Sequence, residues 1–146
     1  MAIRLMTAAD YAQVHALWLR CSGMGLNDVD DAEDGIVRYL RRNPATCFLA
    51  EEGGCVVGAI LAGHDGRRGF IYHTAVDPSC RRQGVGTALV NAALSALKNE
   101  GITKVALVVF SRNDAGNAFW QKQGFTLRDD LCYRNLALTN MRRIDT

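Results

Sequence analysis

Only two prolines, Pro44 and Pro78, occur in 146 residues, so glycine must do most of the punctuation between elements. The five cysteines (Cys21, Cys47, Cys55, Cys80 and Cys132) are odd in number, scattered, and never spaced as a Cys-x-x-Cys pair. A disulfide scaffold or a zinc site is therefore not expected, and reduced thiols in a cytoplasmic protein are. No apolar run approaches the length that crosses a bilayer, and residues 1–7 lack the pattern of a signal peptide, so no membrane partner is expected. Charge excess is missing too. The 17 Lys+Arg against 15 Asp+Glu leave +2 with histidine neutral, too little basic excess for a dedicated nucleic-acid binder. Low-complexity stretches, internal repeats and Pro/Gly/Ser-rich linkers are absent. What is present is an ordinary globular composition, 49% hydrophobic and 22% charged, at a length that suits a single domain over residues 1–146.

Residues 2–6 read as a strand, followed by a helix from the N-cap Thr7 that carries Val14, Leu17 and Trp18 at helical spacing and stops at Ser22-Gly23. A second helix spans 32–43, ending before Pro44. Strands over 47–51 and 56–62 are joined by Glu52-Gly53-Gly54, a tight hairpin, and 70–76 is a further strand rich in aromatic and β-branched residues. A long helix runs from Gly84 to about Asn99, with Val85, Leu89, Ala92 and Ala96 on one side and Val90, Leu94 and Leu97 on the other. Residues 104–110 read as a strand buried on both faces, 114–123 as a helix ended by Gly124, and 131–138 as a last strand. The expected fold class is α/β (α+β), a mixed, mostly antiparallel central sheet with helices on both faces.

The informative stretch is Val76-Asp77-Pro78-Ser79-Cys80-Arg81-Arg82-Gln83-Gly84-Val85-Gly86-Thr87-Ala88, at a strand–turn–helix junction. Free N–H groups and the positive end of the dipole make a helix N-terminus attractive to anions. Gly84 and Gly86 keep side chains away from the backbone there, Arg81 and Arg82 add charge, and Thr87 adds a hydroxyl. A pyrophosphate site is the physical inference. A nucleotide P-loop would need a lysine that is missing, and a dinucleotide fingerprint would need a third glycine where Leu89 stands. A basic turn capping a core helix is the plainer alternative.

Val76-x-Pro78-x-x-Arg81-x-x-Gly84-x-Gly86 resembles the coenzyme A motif of the GCN5-related N-acetyltransferase (GNAT) superfamily. A second block, Asn113 followed by Phe119-Trp120-Gln121-Lys122-Gln123-Gly124-Phe125, is similar to that family's later motif, and residues 3–10 look like its start. The resemblance implies a GNAT-like fold and an acetyltransferase that passes an acetyl group from acetyl-CoA to a primary amine of a small molecule or peptide. It implies that Arg81, Arg82, Gln83, Gly84, Val85, Gly86 and Thr87 hold the pyrophosphate. It also implies that the backbone of Thr74, Ala75 and Val76 pairs with the pantetheine arm, and that Asn113 touches the cofactor. No metal is implied. A homodimer is compatible with the resemblance, and a coenzyme A sensing module of the same fold is the second reading.

An acceptor amine must be neutral to attack. At pH 7 this costs about 4.6 kcal/mol for a lysine-like amine of pKa ~10.4 and about 1.4 for an α-amine near ~8, so side-chain and polyamine acceptors need a base. In GNAT branches with known machinery, a tyrosine acid stands where this chain has Trp120, and glutamates stand where it has Val108 or Phe70. The remaining candidates are led by Tyr72 and His73, on opposite faces of one strand by simple alternation, with Tyr133 on the last strand as an acid, and Glu51 and Glu52 at a strand end or ordered water as the alternatives. The stretch from Asp28 to Asp34 holds five carboxylates in seven residues; it suits a cationic acceptor, or else Asp30 and Asp31 cap the next helix.

Overall fold

The computed structural model describes residues 1–144. In chain order the elements are β1 (Ala2–Leu5), α1 (Tyr11–Arg20), β2 (Leu26–Asn27), α2 (Glu33–Arg42), β3 (Phe48–Glu52), β4 (Cys55–His64), β5 (Gly69–Val76), α3 (Val85–Asn99), β6 (Val105–Leu107), α4 (Asp114–Lys122) and β7 (Arg143–Ile144). Five strands form one sheet in the order β1-β3-β4-β5-β6. The first four pair antiparallel, and only β5 and β6 run parallel. The short β2 and β7 form a separate antiparallel pair. This is the mixed, mostly antiparallel α/β class expected from the sequence.

Two apolar layers sandwich the sheet. On one face α1 contributes Val14, Leu17 and Trp18 and α2 contributes Ile36 and Leu40, packed over Leu49, Ala59, Leu61 and Ala75. On the other, α3 lays Val85, Leu89, Val90, Ala93 and Leu97 over Ala50, Ile60, Ala62 and Ile71. Each fully buried aliphatic or aromatic side chain removes enough apolar area to stabilise the fold by about 1.5–3 kcal/mol. The hairpin between β3 and β4 turns through Gly53 and Gly54 at φ of 58° and 80°, the positive values that a two-residue loop matched to strand twist requires.

Four expectations are corrected. Residues 131–138 form no strand; the chain from 126 to 142 is irregular and exposed, with Leu138 93% accessible. The alternation of apolar and polar residues there mimics a strand, but no neighbouring strand supplies the ladder. The strand expected over 104–110 is cut to Val105–Leu107, with Ala106 exposed and its neighbours half-buried, because it is an edge strand. Helix α3 buries one stripe, leaving Ala92, Leu94 and Ala96 half-buried. Helix α2 takes Ala32 as its N-cap, with no side chain capping it, so neither Asp30 nor Asp31 does that work.

Candidate active site

Strand β5 and the turn after it build the site. The strand pairs with β6 only at Gly69↔Val105, Phe70↔Ala106 and Ile71↔Leu107. On its other edge it stays bonded to β4 up to Gly58↔Val76. From Tyr72 to Val76 no strand among the described residues pairs with the β6-facing edge of β5, the condition for adding an extended ligand as a further strand. Thr74 and Val76 present their backbone to that edge, whereas Ala75, opposite Ala59 and two residues before the Asp77 N–H that bonds the Val57 carbonyl, is turned toward β4. The Thr74 hydroxyl is buried and has no hydrogen-bond partner among the described residues. The Val76 carbonyl is engaged by Arg81 Nε at 3.2 Å and the Cys21 thiol at 3.6 Å.

After Val76 the chain makes a one-turn 3₁₀ segment at Pro78–Cys80, capped by Asp77, whose carboxylate accepts the Ser79 N–H at 2.9 Å and the Ser79 hydroxyl at 2.7 Å. Those bonds, with the Arg20 guanidinium at 2.8 Å, hold the Asp77 carboxyl at about 2. Arg82 then adopts φ 63° and Gly84 φ 82°. Arg81 before them is extended, so two positive-φ residues flanking Gln83 turn the chain from the strand end into α3. Among the described residues no side chain caps the N-terminus of α3, which begins beside Arg81, Arg82 and Gln83, all exposed. The groups present fit a pyrophosphate: free amide donors, positive helix end and guanidinium charge.

The two glycines of this turn do different jobs. Gly84 needs its positive φ, and a Cβ there would meet nothing within 4 Å. Gly86 needs space, because a Cβ would lie 3.2 Å from the Phe119 ring on α4. A second link runs from Gln123 Nε2 to the Thr87 hydroxyl at 3.0 Å. The two sequence blocks thus touch: α4 braces the first turn of α3. Trp120 belongs to the same brace, edge-on to Phe119 at 5.0 Å and to Phe125 at 5.2 Å. Asn113 caps α4, its Oδ1 accepting the Gly116 N–H at 2.9 Å, and also lines a cavity of about 340 Å³ with Ser22, Gly23, Phe110 and Arg112.

The expectation that Tyr72 and His73 face opposite ways is overturned by a bulge. Ile60 pairs with Thr74 and Ala62 with Ile71, so three steps on β5 oppose two on β4. The extra residue puts both side chains on the α1/α2 face. Tyr72 stacks edge-on with Tyr39 of α2 at 5.7 Å and tilts against Phe70 at 4.7 Å. His73 packs edge-on against Trp18 of α1 at 5.0 Å and reaches Asp31, with Nε2 and Oδ1 2.6 Å apart. Tyr72 is 54% exposed, and its phenol is pushed above the ordinary tyrosine value by partial burial first, then by Tyr133 and Asp30. Tyr133 itself sits on the exposed stretch before β7. Of the acidic loop, Asp31 is buried against His73, and Asp28 accepts the Arg142 N–H. The sequence reading passed over Asp31 as a site residue, since no spacing rule connects positions 31 and 73.

The model of the Acetyltransferase (GNAT) family matches residues 11–125. An acetyltransferase of Sodalis glossinidius (strain morsitans) is 34% identical over 131 residues, covering 90% of this chain and 91% of that protein. Among solved structures, Ard1 from Thermoplasma volcanium superposes with a TM-score of 0.75 at 27% identity, over 87% of this chain and 83% of that one. The PaiA N-acetyltransferase from Thermoplasma acidophilum in complex with coenzyme A does so at 0.75 and 17% identity, over 88% and 91%. The chain belongs to the GNAT family of acetyltransferases.

Proposed function

We propose that this enzyme transfers an acetyl group from acetyl-CoA to a primary amine of a small molecule or peptide. One observation carries the reading: an uncapped helix N-terminus behind a turn of positive φ lies directly beyond a strand edge open from Tyr72 to Val76. The turn suits the pyrophosphate of the donor, and the open edge suits the amides of its pantetheine arm. The coenzyme A complex of the Thermoplasma acidophilum neighbour supports that assignment by likeness of fold. Bound acetyl-CoA supplies a thioester: the amine nitrogen forms the new C–N bond, the C–S bond breaks, and the electron pair leaves on sulfur, which takes up a proton.

The chain's own groups divide the remaining work. His73 accepts a proton from the acceptor ammonium, making the nitrogen nucleophilic. Tyr72, a phenol protonated at neutral pH and raised further by partial burial, donates toward the departing sulfur and is reprotonated by the second proton shed by the newly acylated nitrogen, with Tyr133 beside it as the second phenol. The Thr74–Val76 backbone positions the thioester. Five free thiols fit a reducing, cytoplasmic setting. Among the described residues no helix is long and apolar enough to cross a membrane. Exposed Leu127, Leu131, Leu136 and Leu138 on the stretch before β7 favour a homodimer, which sedimentation analysis tests directly.

A coenzyme A sensing module is the second reading, favoured by Trp120, whose indole is built into the α4 brace and supplies no acid. A panel of primary amines scored by release of free coenzyme A thiol separates the two. Amine-dependent thiol release supports transfer. Tight coenzyme A binding with no thiol release for any amine supports the sensor.

A further inference from the structure

Asp31 is a carboxylate buried to 5% exposure, a costly place for a charge without partners. Its partners are fully specified. Oδ2 accepts the Asn27 N–H at 2.8 Å, and Oδ1 faces His73 Nε2 at 2.6 Å. The backbone is fixed as well, since the Tyr11 hydroxyl donates to the Asp31 carbonyl at 2.7 Å. Asn27 Oδ1 ties the loop by accepting the N–H groups of Val29 and Asp30 at 2.9 and 2.7 Å. On the other side of the imidazole, Trp18 is fully buried and meets the ring edge-on. The His73 side chain is left 14% exposed, and its Nδ1 has no hydrogen-bond partner among the described residues.

The geometry points to Asp31 as the positioning residue for His73. An ionised carboxylate only accepts hydrogen bonds, so the hydrogen in the short contact sits on Nε2. The neutral ring then keeps its lone pair on Nδ1, the nitrogen that no protein group occupies. In the transfer reaction this Nδ1 takes one proton from the acceptor ammonium; the resulting imidazolium shares its charge with Asp31 and returns the proton to water after turnover. Removing the carboxylate charge while keeping its shape reverses the arrangement. In Asp31→Asn the side-chain amide can still accept from Asn27, but its NH₂ then donates to Nε2, driving the ring proton to Nδ1 and blocking the base. The inference rests on reading His73 as the base of an acetyltransferase, and its test separates the two claims.

The first readout needs no substrate. Ring ¹⁵N resonances of His73, assigned by their loss in His73→Gln and recorded where the ring is neutral, report the tautomer. The wild type is expected to show Nε2–H, and Asp31→Asn is expected to show Nδ1–H. The second readout is acetylation of an amine that the thiol-release panel identifies. Asp31→Asn should lower kcat/KM by about 10²-fold, the usual scale of general-base assistance, with the KM for acetyl-CoA unchanged. The loss should shrink for weakly basic amines that are already neutral at the assay pH. An Nδ1–H tautomer in the wild type, or an Asp31→Asn enzyme within about twofold of wild type for a strongly basic amine, overturns the proposal. A wild-type Nε2–H tautomer in a protein that acetylates no amine instead overturns the reading of His73 as a base and leaves the pairing standing.

Discussion

Gly35 is the residue whose substitution should uncouple the site from the fold. It lies in the first turn of α2, where the loop carrying Asp31 passes across the helix. A Cβ at Gly35 would fall 2.3 Å from the Asp30 carbonyl oxygen, 2.6 Å from that of Val29 and 2.7 Å from the Asp30 carbonyl carbon. All three are backbone atoms, so no rotamer change relieves the clash. Ordinary carbon contacts lie at about 3.5–4.0 Å, so the loop must shift by roughly 1 Å in Gly35→Ala. Such overpacking costs about 1–3 kcal/mol, against a gain of about 1 kcal/mol in helix propensity. The expected net loss is about 0–2 kcal/mol, or a fall in Tm of up to about 8 °C for a domain of this size. Because the shift falls next to Asp31, the contact to His73 should open, and kcat/KM should drop far more than stability does. Thermal melts paired with the thiol-release assay check this, with coenzyme A affinity as the control at the far end of β5. A Gly35→Ala enzyme with wild-type turnover and Tm would refute the claim that the loop is tightly set against α2.

Other expectations concern the cofactor turn, acid stability and thiol chemistry. Gly84→Ala forces a non-glycine residue to φ 82°, costing about 1–2 kcal/mol, and should weaken coenzyme A binding measured by calorimetry while leaving the Asp31–His73 pair intact. The Asp10 carboxyl is held below its ordinary value, chiefly by hydrogen bonds from Arg4 at 2.7 and 2.9 Å. A lowered folded-state value means that this contribution is complete above the unfolded-state value near 4 and is lost as pH falls through the folded-state value. Asp10→Asn should therefore destabilise the protein by about 1–3 kcal/mol at neutral pH and flatten the acid limb of its stability curve in urea titrations. Burial pushes the Cys47 thiol up to about 12, so alkylation of the native protein should label exposed Cys55 and Cys132 quickly and leave Cys47 untouched until unfolding, as peptide mapping would show.

Helices and hairpins were legible because they are local: spacing of Val14, Leu17 and Trp18, the Gly53-Gly54 turn, and Gly84 before a long apolar stripe each act within a few residues. The cofactor turn was legible for the same reason. Three features were not, and each depends on distant chain. The bulge that turns Tyr72 and His73 to one face arises from pairing with β4, and the alternating pattern of β5 carries no mark of it. Asp31 meets His73 across 42 positions, and its place before a helix invited reading it as a cap. Residues 131–138 alternate like a strand but have no partner strand, so pattern without pairing misled. Gly86 was read as clearance for a phosphate, while the structure gives it a second duty against Phe119.

The central claim is that the Arg81–Thr87 turn and the open edge of β5 present an acetyl donor to an amine beside His73. Release of free thiol from acetyl-CoA, measured with and without a panel of primary amines and matched to the mass of the acetylated product, tests it most directly. Transfer predicts stoichiometric thiol and acetylated amine, with the rate for a strongly basic amine lowered by about 10²-fold or more in His73→Ala and coenzyme A binding retained. Thiol release that ignores the amine, or full activity in His73→Ala, would contradict it.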